Sequence, residues 1–405
     1  MIEIKPAKRT ESVKEYYFSV KNKEIAKINV ERKARGLDPV VNLGIGSPDG
    51  TPPRSAIEVL CKNAPLDGVH GYQPYVGIPE LREAFAKWYE KYYHVTLDPS
   101  SEIQPLTGSK EGILIASLTF LDKGDKVLVP DPGYPTYTSA SLMVEADMIK
   151  YDLTEETGWM PDFDALEKMD LSGVKMMWTN YPGMPTGVKA SRELYEKIVD
   201  FGLRHNILII NDNPYSFILN EEPLSILEIP RAKECCLEMN SLSKAHNMAG
   251  WRVGMIAGDA SLIKEILKVK SQMDSGIFRP LQLAAVEALS QGDEWFSSLN
   301  RVYRERKEVV WQIFDLLGAK YDCNTAGLFV WGRITDKTME TLGLKREEGV
   351  IPAGEVSDKI LYGCGVFITP GFIFGHNGEN YIRASLCAPV EKLQSALEKV
   401  RTLVK

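Results

Sequence analysis

Metal-ligand spacing is missing from this chain. Its five histidines are scattered, and its six cysteines (Cys61, Cys235, Cys236, Cys323, Cys364, Cys387) form no C-x-x-C pair. That pattern gives neither a zinc site nor a dithiol redox centre. Six cysteines in 405 residues are also too few for a disulfide scaffold, and they read as small buried apolar side chains in a reducing cytoplasm. Long apolar runs are absent. The most apolar stretch, "ILIASLTFL" from Ile113 to Leu121, falls far short of the roughly 18 residues a membrane span needs. The N-terminal "MIEIKPAKRTESVKEYYFSV" has no apolar centre of the secretory kind. Positive charge is not in excess either: 48 Lys and Arg against 55 Asp and Glu leave −7, which argues against nucleic acid or an anionic membrane as partner. There is no internal repeat and no low-complexity segment.

What is present is a large apolar fraction, 44%, enough for a sizeable core and two or three domains. The middle of the chain alternates strand-like and helix-like runs. "ELREAFAKWYEKYY" sets Leu81, Phe85, Trp88 and Tyr92 along one helical stripe, and "SRELYEKIVDFGLRHN" does the same with Leu194, Ile198 and Phe201. "KVLVP", "VKMMWTN", "ILIIND", "CCLEMN" and "WRVGMIAG" read as buried strands. Alternation of this kind predicts an α/β fold with a mostly parallel central sheet covered by helices. After residue 289 the texture changes to a long charged helix, the short strands "GLFVWGRI", "GVFITPG" and "NYIRASL", and a last helix with Val390, Leu393, Leu397 and Val400 on one face. We therefore expect a large domain at 51–289 and a smaller α+β domain at 290–405. The segment 1–50, whose "VVNLGIG" is a strand with no helix beside it, is expected to join the smaller domain.

Open α/β sheets bind ligands at the carboxyl ends of their strands. Gly108-Ser109-Lys110 follows "IQPLT" and opens a helix, a backbone arrangement suited to an anion, though most such starts are ordinary caps. Asp212 ends the buried run "ILIIN", with Tyr215 three residues on; a carboxylate there is either a structural cap or the partner of a cation. After "CCLEMN" come Ser241, Ser243, Lys244 and Arg252. Positive charge and partial burial lower a lysine pKa and make the amine nucleophilic.

One chemistry uses all of these groups. Pyridoxal phosphate needs a lysine for a Schiff base, a phosphate cup, and an acid for its ring nitrogen. Lys244 would supply the amine. Gly108, Ser109, Lys110, Ser241, Ser243 and Arg252 would hold the phosphate. Asp212 would keep the ring nitrogen protonated, Tyr215 would donate to the ring oxygen, and Tyr134 in "DPGYPTY" could stack on the ring.

With these residues in place the sequence resembles the class I aminotransferases of pyridoxal-phosphate fold type I, nearest the branch of LL-diaminopimelate and broad-range aminotransferases. The motifs "NLGIGSPD", "GYQPYVGIPELREAF", "TGSKEGI", "DPGYPTY", "PTG", "DNPY", "SLSKAHNMAGWRVG" and "TPGFIFGHNGENYIRASL" come in the family's order over nearly the whole chain. The resemblance implies that Gly46 lies near the substrate carboxylate, that Arg383 grips it, and that Tyr72 reaches the phosphate of a partner subunit in a homodimer. It implies ping-pong transfer of an amino group from an amino acid to a 2-oxo acid. Other reactions on the same fold (β-lyase, decarboxylase, cyclase) would use the same lysine, aspartate and phosphate cup. A DNA-binding regulator of this fold would need a spare helix-turn-helix domain and a basic face, and neither is here.

One position departs from the family pattern. Before Pro-Thr-Gly the family usually has asparagine, whose amide donates to the ring oxygen; here "NYPGMPTG" has Met184. A thioether donates nothing and accepts weakly, which leaves Tyr215 as the evident donor. Three further residues carry bland readings beside sharper ones: Arg279 as a surface or interface residue, His246 as loop packing, and Trp251 as core. "SLSK" also matches S-x-x-K, but the S-D-N and K-T-G partners of that serine chemistry are missing. In "GIGSPDG", Asp49 stands where a dinucleotide-binding loop needs its last glycine.

Overall fold

The apolar runs in the middle of the chain assemble into a seven-stranded sheet. The computed structural model describes residues 4–405; residues 1–3 of the expected N-terminal segment lie outside the described residues. Across the sheet the strands stand in the order Ile103–Leu106, Gly254–Gly258, Cys236–Ser241, Leu208–Asp212, Val174–Thr179, Lys126–Asp131 and Asp147–Asp152. All pair in parallel except Gly254–Gly258, which is antiparallel to both neighbours.

Successive side chains of a strand face opposite sides of the sheet, so a strand covered on both faces reads as a continuous apolar run. Met176, Trp178, Ile210, Leu237 and Met239 share one core with Ile113 and Ala116 of helix Ser109–Phe120, Tyr137 of helix Pro135–Met143 and Ile263 of helix Ala260–Lys270. Met177, Ile209 and Cys236 share the other core with Leu81, Phe85 and Trp88 of helix Pro79–Tyr93 and with Leu194 and Ile198 of helix Arg192–His205. Phe85 and Phe201 are wholly buried, and truncating either to alanine would cost about 3–5 kcal/mol. Helix Arg192–His205 starts where Ser191 accepts from the Leu194 N–H and stops where Asn206 turns left-handed, φ 55°.

The C-terminal part forms a four-stranded antiparallel sheet, in the order Thr369–Pro370, Tyr381–Ser385, Phe329–Arg333, Lys320–Tyr321. The long helix Asp293–Leu317, helix Pro352–Cys364 and helix Val390–Leu403 share one core with it. The N-terminal strand Val41–Asn42 runs parallel to Val366–Phe367, so "GVFITPG" is two short strands in two sheets rather than one. Two further differences from the sequence expectations have plain reasons. The edge strand Asp147–Asp152 exposes Asp147, Lys150 and Asp152, half-buries Met148 and Ile149 and buries only Tyr151, and has no apolar run to announce it. On helix Pro79–Tyr93 the fully buried tyrosines are Tyr89 and Tyr93, while Tyr92 is only partly buried.

Candidate active site

The carboxyl ends of the parallel strands open onto a cleft of about 490 Å³, within the range of small-molecule sites. It is lined by Gly46, Ser109, Lys110, Tyr134, Asp212, Tyr215, Ser241, Ser243, Lys244, Arg252 and Arg383 among others. Gly108 stands at its rim as the N-cap of helix Ser109–Phe120. The single antiparallel strand explains why Arg252 joins them. Gly254 pairs with both Leu106 and Ser241, so the residues just before Gly254 sit at the edge where its two neighbours end.

Lys244 sits on the one-turn helix Leu242–Ala245, directly after strand Cys236–Ser241. Its amine donates to the Gly46 carbonyl at 2.5 Å and lies 5.8 Å from the Tyr215 ring centroid. Burial pushes its pKa down, and the Arg383 and Arg252 charges push the same way; Cys387 and Asp212 oppose them.

Asp212 is 4% exposed. One of its oxygens, Oδ2, accepts from the Tyr137 hydroxyl at 2.9 Å; the other, Oδ1, is buried with no partner among the described residues. Burial raises its pKa to about 6, against the lowering effect of the Tyr137 hydrogen bond and the Lys244 charge. An orphaned buried carboxylate oxygen is costly. Tyr137 itself stacks on Trp178, with centroids 5.0 Å apart.

The hydroxyls form a short chain: Ser241 Oγ donates to Ser243 Oγ at 2.8 Å and accepts from the Ser243 N–H at 3.1 Å. Arg252 donates to the Ala249 carbonyl at 2.9 Å and meets no carboxylate. A Cβ on Gly108, at φ +80°, would stand 2.2 Å from Arg252 Nη2, so glycine is what lets the guanidinium reach the helix start.

Arg383 comes from strand Tyr381–Ser385 of the smaller sheet. Its guanidinium lies 3.8 Å from the Phe329 ring centroid and 4.5 Å from that of Phe374. Nη2 donates to the Gly44 carbonyl at 2.9 Å, Nη1 meets the Met184 sulfur at 3.2 Å, and Nε is buried with no partner. Burial holds its pKa down, to about 10. It is a buried cation with no anionic partner among the described residues, the state an incoming carboxylate would relieve.

Met184 lines the cleft and is buried. Its N–H donates to Asn180 Oδ1 at 2.8 Å, and Asn180 in turn donates to the Asp212 carbonyl at 2.5 Å. The loop "NYPGMPTG" is thus tied to the strand that carries Asp212.

Tyr72 is not in the cleft: it is 91% exposed. Arg279 pairs with Glu80 at 3.2 Å on the surface. His246 is fully buried, with both ring nitrogens unpartnered; burial lowers its pKa to about 3. It packs against Trp88 and Phe296, and Trp251 packs against the large core.

Sequence reasoning missed Tyr137, Asn180, Tyr16, Phe18, Phe329 and Phe374. Asn180 carries the signal used for Asp212, a polar residue just past a buried strand. Tyr16 and Phe18 carry none, because their segment reaches the cleft only through tertiary packing.

The family model described as "Aminotransferase class I and II" matches residues 38–400. A curated LL-diaminopimelate aminotransferase of Dehalococcoides mccartyi is 37% identical over 399 residues, covering 98% of each chain. One of Nitratidesulfovibrio vulgaris is 37% identical over 406 residues, covering 100% of each. Among solved structures, substrate-bound BacF from Bacillus subtilis superposes with a TM-score of 0.88 at 32% identity, covering 99% of this chain and 98% of that one. An aromatic aminotransferase from Pyrococcus horikoshii gives 0.82 at 27% identity, covering 93% and 100%.

Proposed function

Since the chain belongs to the class I and II aminotransferases, we propose a role for each residue that lines its cleft. The protein is a pyridoxal-phosphate-dependent enzyme of fold type I that moves an amino group from an amino acid to a 2-oxo acid. The names of its relatives favour this over the β-lyase, decarboxylase and cyclase readings.

The residues present fit that cofactor. The orphaned Asp212 Oδ1 calls for a protonated ring nitrogen. The start of helix Ser109–Phe120, the hydroxyls of Ser109, Ser241 and Ser243, and the carboxylate-free Arg252 suit a phosphate dianion. When bound, pyridoxal phosphate supplies the electron sink for the substrate's Cα.

Lys244 would hold the cofactor, and its amine would take the substrate's Cα proton and give it back. A lowered pKa raises the neutral fraction that this needs. Asp212 holds the ring nitrogen protonated, and Tyr137 orients Asp212. Tyr215 and Tyr134, which both line the cleft, would hold the ring oxygen and cover the ring. Arg383 pairs with the substrate α-carboxylate, close to the Gly46 backbone. Residues 51–289 serve as the cofactor domain, with 1–50 and 290–405 as the smaller one. Tyr72 reaches the phosphate of a partner subunit in a homodimer. The exposed apolar side chains Leu66, Tyr72, Tyr75, Met273 and Phe278 support such a contact. The free cysteines suit a cytoplasmic setting, and among the described residues no helix is long and apolar enough to cross a membrane.

The observation that carries these roles is the meeting of a lysine amine, an orphaned carboxylate oxygen and an anion-free arginine in one cleft. Purified protein is expected to absorb between roughly 330 and 430 nm and to change that band on adding an amino donor. Lys244→Ala is expected to lower the rate by at least about 10³-fold. A variant transaminating at the parent rate would refute the assignment.

A further inference from the structure

One buried carboxylate takes no part in the roles proposed above. Glu238, in strand Cys236–Ser241, is fully buried and accepts four hydrogen bonds. Oε1 takes the Tyr89 hydroxyl at 2.9 Å and the Ser225 hydroxyl at 2.7 Å. Oε2 takes the Asn211 amide at 2.9 Å and the Ile226 N–H at 3.1 Å. Four donors fill the acceptor sites of an ionised carboxylate. The two partners of Oε2 can only donate, and a proton on Oε1 would displace one of the hydroxyl donors. Burial pushes the Glu238 pKa up, and the four hydrogen bonds oppose it. No cation pairs with it among the described residues. The titratable groups around it are Tyr89 and Tyr93 of helix Pro79–Tyr93, Tyr195 of helix Arg192–His205, Cys236 of its own strand and Asp212 of the next. An unpaired buried anion is costly unless its hydrogen bonds hold it.

The network built on Glu238 ends at the chain neighbours of three cofactor-site residues. Asn211 precedes Asp212 and pairs with Glu238 across the two strands. Alternate side chains face opposite sides of the sheet, so Asn211 turns to Glu238 while Asp212 turns to Tyr137. Tyr89 also meets the amide of Asn240 at 3.5 Å, and Asn240 accepts from the N–H of the next residue, Ser241, at 2.8 Å. The same amide donates to the Tyr93 hydroxyl at 3.1 Å, which meets Ser216, the residue after Tyr215, at 2.5 Å. A buried polar network with every member satisfied fixes one geometry.

We propose that Glu238 is a positioning residue for the cofactor site: an ionised carboxylate behind the sheet that holds the strand ends carrying Asp212 and Ser241 and lends Asp212 a neighbouring negative charge. The inference rests on the cofactor roles proposed above. A like charge nearby favours the protonated form of a carboxyl. At Asp212 burial is the main cause of the raised pKa; Tyr137 and Lys244 lower it, and the Glu238 charge raises it further. The same charge favours a protonated ring nitrogen beside Asp212. Glu238→Gln keeps the shape, removes the charge and sets an amide donor against the N–H groups of Asn211 or Ile226.

The test has one readout without cofactor and one with it. In the cofactor-free protein, calorimetry compares stability against pH with and without Asp212→Asn, once in the parent and once in Glu238→Gln. The pH at which the Asp212 contribution levels off, about 6 in the parent, is expected to fall by about half a pH unit or more in Glu238→Gln. In the second readout, equilibrium dialysis measures pyridoxal phosphate, whose Kd is expected to rise roughly 10-fold in Glu238→Gln. Phe201→Ala, a cavity in the same core as Tyr89, should move neither value. The proposal needs both changes. A levelling point left in place, a Kd within about 3-fold of the parent's, or equal changes in Phe201→Ala would overturn it. Should Glu238→Gln fail to fold, Ser225→Ala decides. It takes one donor from the carboxylate and should raise the Kd about 3-fold; a Kd equal to the parent's would overturn the proposal. A parent protein that binds no pyridoxal phosphate would refute the cofactor roles themselves, and this proposal with them.

Discussion

The orphaned oxygen of Asp212 makes a prediction about stability that does not depend on turnover. In the protein freed of cofactor, burial lifts this carboxyl from the ordinary 3.8 to about 6. The folded state therefore holds the proton more tightly than the unfolded chain does. Stability from this group is fully present below about pH 3.8 and is lost as the pH rises through about 6. Each pH unit of that interval is worth about 1.4 kcal/mol, so the loss reaches about 3 kcal/mol by neutral pH. At about 2.1 cal/mol/K of unfolding entropy per residue, a 405-residue chain converts this to about 3–4 °C in Tm.

Asp212→Asn removes the titration while keeping the shape. Scanning calorimetry of the two cofactor-free proteins from pH 4.5 to 7.5, at one scan rate, should show the parent losing about 2 °C relative to the variant across that range, the rest of the loss falling below pH 4.5. Adding pyridoxal phosphate gives Asp212 a protonated ring nitrogen to pair with, so the loaded parent should lose most of this slope. Tyr137→Phe removes the one hydrogen bond that opposes the shift and should widen the difference. Parallel curves for the cofactor-free parent and Asp212→Asn would refute the argument. So would a slope that survives loading, since Asp212 would then face something other than the cofactor.

Three further outcomes follow from the same geometry. Arg383→Gln removes the buried guanidinium and should lower kcat/KM for amino-acid donors by about 2–5 kcal/mol, read from steady-state kinetics. Met184→Asn puts a donor at the position where the resembled family has one, and should move the midpoint of the cofactor's spectral pH titration downward; an unmoved midpoint would place residue 184 away from the ring. Tyr93→Phe strips the hydroxyl that meets Ser216 at 2.5 Å and Asn240 at 3.1 Å beneath the Tyr215 loop. It should destabilise the protein by about 1–3 kcal/mol in denaturant titrations.

The cofactor half of the site was readable because the physics that builds it is local in sequence. A buried parallel strand is an apolar run, and the residue that follows it is forced to the ligand edge. Asp212, Ser241 and the Gly108 helix start were found that way, and Arg252 follows from an adjacent strand. The parallel sheet was legible for the same reason, except its polar edge strand. The substrate half was not readable from periodicity. Arg383 came from the family resemblance, and the rings around it come from segments far apart in the chain: Phe18, Phe329 and Phe374.

Met184 shows how the two halves meet. Its place in the loop follows from local hydrogen bonds, through Asn180 to the strand carrying Asp212. What its sulfur touches, Arg383 at 3.2 Å, depends on the smaller sheet closing over the cleft. A sulfur there accepts weakly and is easily displaced, so an incoming carboxylate can take the Nη1 donor at little cost. An asparagine oxygen would hold that donor more firmly. The residue that looked like a lost hydrogen bond to the cofactor is therefore also a weak placeholder on the arginine. Met184→Leu should thus leave substrate affinity within about 3-fold, and a larger loss would mean that the sulfur orients the guanidinium.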